Sequence, residues 1–234
     1  MGIKELDGRL SCIAGLVPPC SVAADVGTDH GFLIAHLVET GRVERGIAID
    51  VNAAPLEKAR RLLALRGLED RVETRLADGL QGVSPDGLGA VIIARMGGEL
   101  IWEIIRRWPH AATPGIAWVL QPMTKIQRLR RSLWDGGFAI REERCCNVAG
   151  KSYSVLLATF AGAPQLYEPW QAYLGAVTPE TPEARTYLLR EQQRLLAIIE
   201  ARGAAGEDAA QTAVLRRAAR EIEARLAGWK ENTP

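Results

Sequence analysis

The sequence predicts an α/β protein, with a doubly wound, mostly parallel seven-stranded sheet and a C-terminal helical hairpin. Three observations carry this expectation. Short apolar runs alternate with helical segments through the first 135 residues, as in βα units that lay their strands in parallel. Two more apolar runs then follow each other without a helix between them. Beyond residue 160 the apolar period becomes that of long helices.

The elements follow in order. Leu6, Leu10, Ile13 and Val17 recur at steps of four and three, one face of a helix that Pro18-Pro19 stops. Strands are expected at 21–25, 45–50, 71–77, 90–94, 117–121, 138–145 and 152–160, and helices at 31–40, 53–66, 98–107 and 124–135. The last two strands should pair as an antiparallel hairpin at one edge. The stretch AGAPQLYEPW (161–170), with a glycine and two prolines, reads as a linker. Thr181-Pro182-Glu183 then supplies an N-cap, a proline at the first helical position and an acid in the first turn. Leu188, Leu195 and Ile199 mark that helix, and Gly203 and Gly206 are expected to break it. Leu215, Ile222, Leu226 and Trp229 mark a second one, giving an αα-hairpin. The expected domains are 1–162 and 163–234.

Composition bounds the function. The 234 residues carry 29 basic and 28 acidic side chains, a net charge of +1, which neither demands nor excludes a nucleic-acid partner. There is no apolar run of 18 residues, and the N-terminal MGIKELDGRLSCIAGLV has acids and a helical period. Neither a membrane span nor a signal peptide is expected. Cys12, Cys20, Cys145 and Cys146 form no C-x-x-C pair, and the three histidines are scattered. Reduced thiols, no metal site and a cytoplasmic location are the expectation.

In a doubly wound sheet, ligands sit at the carboxyl ends of the strands. Three acids fall there: Asp25 before Gly27, Asp50 before Val51 and Asn52, and Asp78 before Gly79. An acid ending the second strand can accept from ribose hydroxyls. One ending the third can accept from the exocyclic amine of adenine. Together they read an adenosine. The first turn, V-G-T-D-H-G, spans Gly27, Thr28, Asp29, His30 and Gly31. A dinucleotide would set its pyrophosphate on bare amides here, and Asp29 would repel it. S-adenosylmethionine brings a sulfonium and an ammonium instead, which an acid favours. After the fourth strand, Met96, Gly97 and Gly98 would face the reactive methyl, the glycines freeing backbone groups for contact. Arg9, on the first helix, fits either the carboxylate of this cofactor or plain solvent.

At these residues the chain resembles the bacterial tRNA (adenine-22-N1)-methyltransferase family. RLSCIAGLVP, VAADVGTDHGFL, AIDVNAAPLEKAR, RLADGL, IIARMGG and LQP…LR…GF…GKSYSVLLA occur in the family's order, over about residues 9 to 160. The resemblance implies a class I, Rossmann-like methyltransferase domain and a helical, coiled-coil-like C-terminal domain. It implies S-adenosylmethionine as cofactor and N1 of an adenine in the tRNA D-arm as target. Carried over, Gly27, Asp29, His30 and Gly31 are the cofactor turn, Asp50 and Asn52 the ribose segment, and Asp78 and Gly79 the adenine segment. Met96, Gly97 and Gly98 form the loop after strand four. The family commonly reads A-G-M-G-G where this chain has Arg95, and often tyrosine where it has Phe32. Arg95 fits either a crowded pocket or an RNA phosphate.

Asp29 and His30 are the catalytic candidates. Arg106, Arg107, Arg128, Arg130 and Arg131 fit either a phosphate track or solvated helix faces. Trp102 and Phe32 fit stacking or packing. Two other functions are compatible with the residues: a methyltransferase for a small molecule or protein, and a non-catalytic RNA-binding module with a relict pocket. Oligomeric state is open, with a monomer favoured.

Overall fold

The computed structural model describes residues 6–205 and 209–228. Five strands run parallel: β1 (Cys20–Val26), β2 (Val43–Asp50), β3 (Val72–Leu76), β4 (Leu88–Gly97) and β5 (Ala117–Thr124). With β6 (Phe138–Val148) and β7 (Lys151–Phe160) they form one sheet in the order β3-β2-β1-β4-β5-β7-β6. The expected antiparallel hairpin is present: β7 pairs antiparallel with both β5 and β6, and β6 lies at the edge.

The first helix, α1 (Gly8–Leu16), starts where the Asp7 carboxylate accepts from the Leu10 amide at 2.8 Å. It packs on one face of the sheet with α2 (Phe32–Glu39) and α3 (Ala53–Arg66), and α4 (Gly98–Arg107) and α5 (Ile126–Asp135) cover the other. The segment between β3 and β4 is a run of turns. β4 itself is fully apolar from Ala90 to Ile93, each residue buried, as a central parallel strand requires.

After the linker comes a one-turn helix, α6 (Gln171–Leu174), then α7 (Pro182–Ala205) and α8 (Ala209–Ala227). The Thr181 hydroxyl accepts from the Ala184 amide at 3.2 Å, the cap its sequence calls for. The break expected at Gly203 does not occur: α7 continues to Ala205, its packing against α8 outweighing one glycine. Gly206 and Trp229 lie outside the described residues. Leu188, Leu195, Leu215 and Ile222 build a separate apolar cluster with Tyr173 and Leu174. Among the described residues no helix is long and apolar enough to cross a membrane, and the four cysteines are free thiols.

Arg130 corrects the expectation that it faces solvent or phosphate. It is completely buried and pairs with buried Glu143 of β6. Its guanidinium also donates to the carbonyls of Ala172 (2.8 Å) and Tyr173 (3.2 Å) and to the Tyr187 hydroxyl (3.3 Å). Glu143 accepts from Ser154 and from the Ala176 amide at 3.0 Å. Burial opposes the charge on Arg130, but Glu143 and Tyr187 together outweigh it and hold the guanidinium protonated. Gly175 crosses this pair at φ +62°, where any Cβ would strike both charged groups. The network therefore ties α5, β6, the α6 turn and α7 into one unit.

Removing one partner of such a pair leaves a buried charge unmatched. Glu143→Ala should cost about 3–5 kcal/mol of stability, read by urea unfolding. Arg130→Met combined with Glu143→Leu should recover much of that loss.

Candidate functional site

The turn after β1 is drawn onto β2 by two bonds, with the amides of Gly27 (2.8 Å) and Thr28 (2.9 Å) both donating to the Ile49 carbonyl. Gly27 has φ +77°, and a Cβ there would collide with the Met96 methyl group. Glycine thus lets the Met96 side chain lie against the turn. Gly31, also left-handed, begins α2. Beneath the turn Asp25 is buried and accepts from the Thr28 hydroxyl at 2.7 Å. Burial pushes its carboxyl up to about 6, the Thr28 bond opposing and the charges of Asp50 and Asp29 adding.

Four strand-end segments surround one cavity of about 530 Å³. Gly27 and Asp29 come from the first turn, and Asp50, Val51 and Asn52 from the second. Asp78 and Gly79 follow β3, and Arg95 and Met96 lie near the end of β4. Asp50 accepts from the Asn52 amide at 2.8 Å, which fixes the start of α3. Asp78 pairs with Arg107 of α4 at 3.1 Å. Leu100 and Ile104 of α4 add apolar wall.

Asp29 has partners on both oxygens: His30 Nδ1 faces one, and the Arg95 guanidinium pairs with the other. Partial burial works to raise its carboxyl, but Arg95 and His30 prevail and hold it below the ordinary carboxylate value. Arg95 has φ +64°, the left-handed region that favours glycine. That explains why glycine suits this position. The Arg95 amide donates at 3.2 Å to the side-chain oxygen of Gln121, itself fully buried.

The structure brings together Gly27, Asp29, Asp50, Val51, Asn52, Asp78, Gly79 and Met96 around the cavity. Asp25, Thr28, His30 and Gly31 support the first turn from behind or beside it. Gly97 caps α4, and a Cβ on Gly98 would crowd the Lys125 and Thr124 carbonyls. Arg9 is not among the lining residues. It sits over the Tyr153 ring at 5.4 Å and near Asp7 at 3.9 Å. Arg106 and Arg128 pair with Glu103 and Glu99. Arg131 lies over the Tyr173 ring. Trp102 stands edge-on to Phe138 at 6.1 Å, a packing contact, and Phe32 stacks on His30 at 5.9 Å. Sequence reasoning missed Gln121. Its signal was an amide directly after the apolar run 117–120, inside β5. Among the described residues no cluster of three or more His, Cys, Asp or Glu is placed to hold a metal.

The residues fit a cationic adenosine derivative: acids on three strand ends gather around a cavity that the left-handed Gly27 turn also lines. Comparison with known proteins agrees. A family profile described as "Methyltransferase domain" matches residues 6–156. The tRNA (adenine(22)-N(1))-methyltransferase of Bacillus subtilis is 29% identical over 168 residues, 72% of this chain and 71% of that protein. The crystal structure of the B. subtilis m1A22 tRNA methyltransferase superposes with a TM-score of 0.74 at 26% identity, covering 95% of this chain and 96% of that one. A Streptococcus pneumoniae protein solved in complex with S-adenosyl-L-methionine superposes with a TM-score of 0.77 at 28% identity, covering 95% and 100%.

Asp25 makes stability depend on pH. Its folded value, about 6, lies above the ordinary 3.8. Its contribution is therefore full below the lower value and lost as pH rises through the upper. Between those limits the wild type should lose about 3 kcal/mol relative to Asp25→Asn. Urea unfolding of both proteins across this range checks it, and a constant difference would refute it.

Proposed function

The chain belongs to the methyltransferase-domain family, and from that premise we propose that it methylates N1 of an adenine in tRNA, position 22 of the D-arm, using S-adenosylmethionine. The observation that carries this reading is the cavity where Asp29, Asp50 and Asp78 meet the left-handed Gly27 turn. When bound, S-adenosylmethionine supplies a methyl group activated by a positive sulfur. Asp50 and Asn52 would hold its ribose, Asp78 and Gly79 its adenine, and Gly27, Asp29 and Met96 its methionine end. Asp25 and Thr28 would keep the turn in shape.

Adenine N1 has an in-plane lone pair and needs no prior loss of a proton. What remains for the protein is alignment and stabilisation of the cationic product. N1 lies on the pairing edge, so the base must be unpaired or turned out of its stack. Asp29 is the group to steady the positive charge or orient the N6 amine, and His30, bonded to it, fixes its direction. We assign residues 1–162 to this chemistry. We assign residues 163–234 to a helical unit, a reading that the apolar cluster joining α6, α7 and α8 supports. The tRNA substrate in turn supports a cytoplasmic location.

Two measurements test this. Mass spectrometry of unmodified tRNA incubated with protein and S-adenosylmethionine should place one methyl on a D-arm adenine; transfer to a metabolite instead would overturn the tRNA assignment. Asp29→Ala should lower turnover roughly a hundredfold, well beyond its effect on the calorimetric Kd for S-adenosylmethionine.

A further inference from the structure

We propose that Arg95 competes with the positively charged end of the methyl donor for Asp29, so that this chain binds the donor only by displacing an internal guanidinium. The inference rests on the methyl-donor reading of the cavity. Arg95 and Asp29 line the same cavity from the carboxyl ends of the neighbouring parallel strands β4 and β1, and they pair with each other. The main chain at Arg95 is fixed. It adopts φ +64°, and its amide is held by the side chain of buried Gln121, whose own amide donates to the Pro122 carbonyl at 3.0 Å. The side chain is free to move: those of Arg95 and Asp29 are 46% and 43% exposed. An ion pair this wet is weak and readily exchanged.

The other acids of the cavity are not engaged by Arg95. Asp50 takes the Asn52 amide and Asp78 takes Arg107. The second oxygen of Asp29 faces His30. A cation approaching Asp29 therefore finds both oxygens taken, one of them by a like charge. Arg95 would have to swing outward before an ammonium or sulfonium could gain the carboxylate, and the cost of that exchange appears as lost affinity.

Calorimetry of the full chain tests this with two probes. S-adenosylmethionine carries the cationic end, and 5′-methylthioadenosine keeps the adenosine but lacks the sulfonium, the ammonium and the carboxylate. Arg95→Gly and Arg95→Gln should each bind S-adenosylmethionine up to about fivefold tighter, the range open to an exposed ion pair. Neither should change binding of methylthioadenosine. The tightening should vanish when Asp29→Asn is added, because the contested carboxylate is gone. Two variants guard against a local effect of glycine at a left-handed position. Unchanged or weaker S-adenosylmethionine binding in both would overturn the proposal, and weakening would mean that Arg95 meets the donor's carboxylate. If folded wild type binds neither probe, the methyl-donor reading falls, and the role of Arg95 with it.

Discussion

The parallel register of β1, β2 and β3 brings the carboxylates to one edge of the sheet. Asp25 stands opposite Ala48 and Asp50 opposite Leu76. The chain leaves each strand at nearly the same level, and the bonds from Gly27, Thr28 and Ala77 onto the end of β2 lock the three turns together. The cavity is a consequence of that alignment. A shift of one residue in any of these strands would turn its side chains to the other face and scatter the acids. Burial enforces the register, since Ala24, Ile49 and Ala90 to Ile93 have no exposed surface.

Much of this was legible in the sequence. The strands are short and strongly apolar, their turns carry glycine, and their last residues are acids. Period and punctuation therefore placed the sheet, the hairpin and most of the cavity lining. What was not legible depends on contacts between distant segments. Arg130 sits on a helix among other arginines, and nothing local distinguishes it from Arg128 or Arg131. Its partner lies 13 residues away on an edge strand, and its remaining acceptors lie more than 40 residues on. The surroundings of Arg9 were not legible for a similar reason, because the first helix carries it toward Tyr153 and Met123. Arg95 was legible only as an oddity. A positive φ cannot be read from an arginine, and its pairing with Asp29 joins residues 66 apart in the chain.

The two charged clusters differ in physical character. Arg130 and Glu143 are sealed from solvent, and every exchange of partners there would strand a charge. Arg95 and Asp29 are half in water, where partners exchange at little cost. The first kind suits a permanent join between sheet and helices. The second suits a place where something else must bind.

The placement of β6 has one more effect. A terminal strand offers unpaired amides and carbonyls to any passing chain. Here α1 and α7, from opposite ends of the sequence, both pack against β6, and its strand carries Arg141, Glu142 and Arg144 beside an irregularity in register. At the far edge β3 is only five residues long and bears Glu73 and Arg75. Both rims of the sheet are thus made poor templates for adding strands from another molecule. Of the helices after residue 180, α7 thus covers part of the β6 edge and α8 packs behind it on α7.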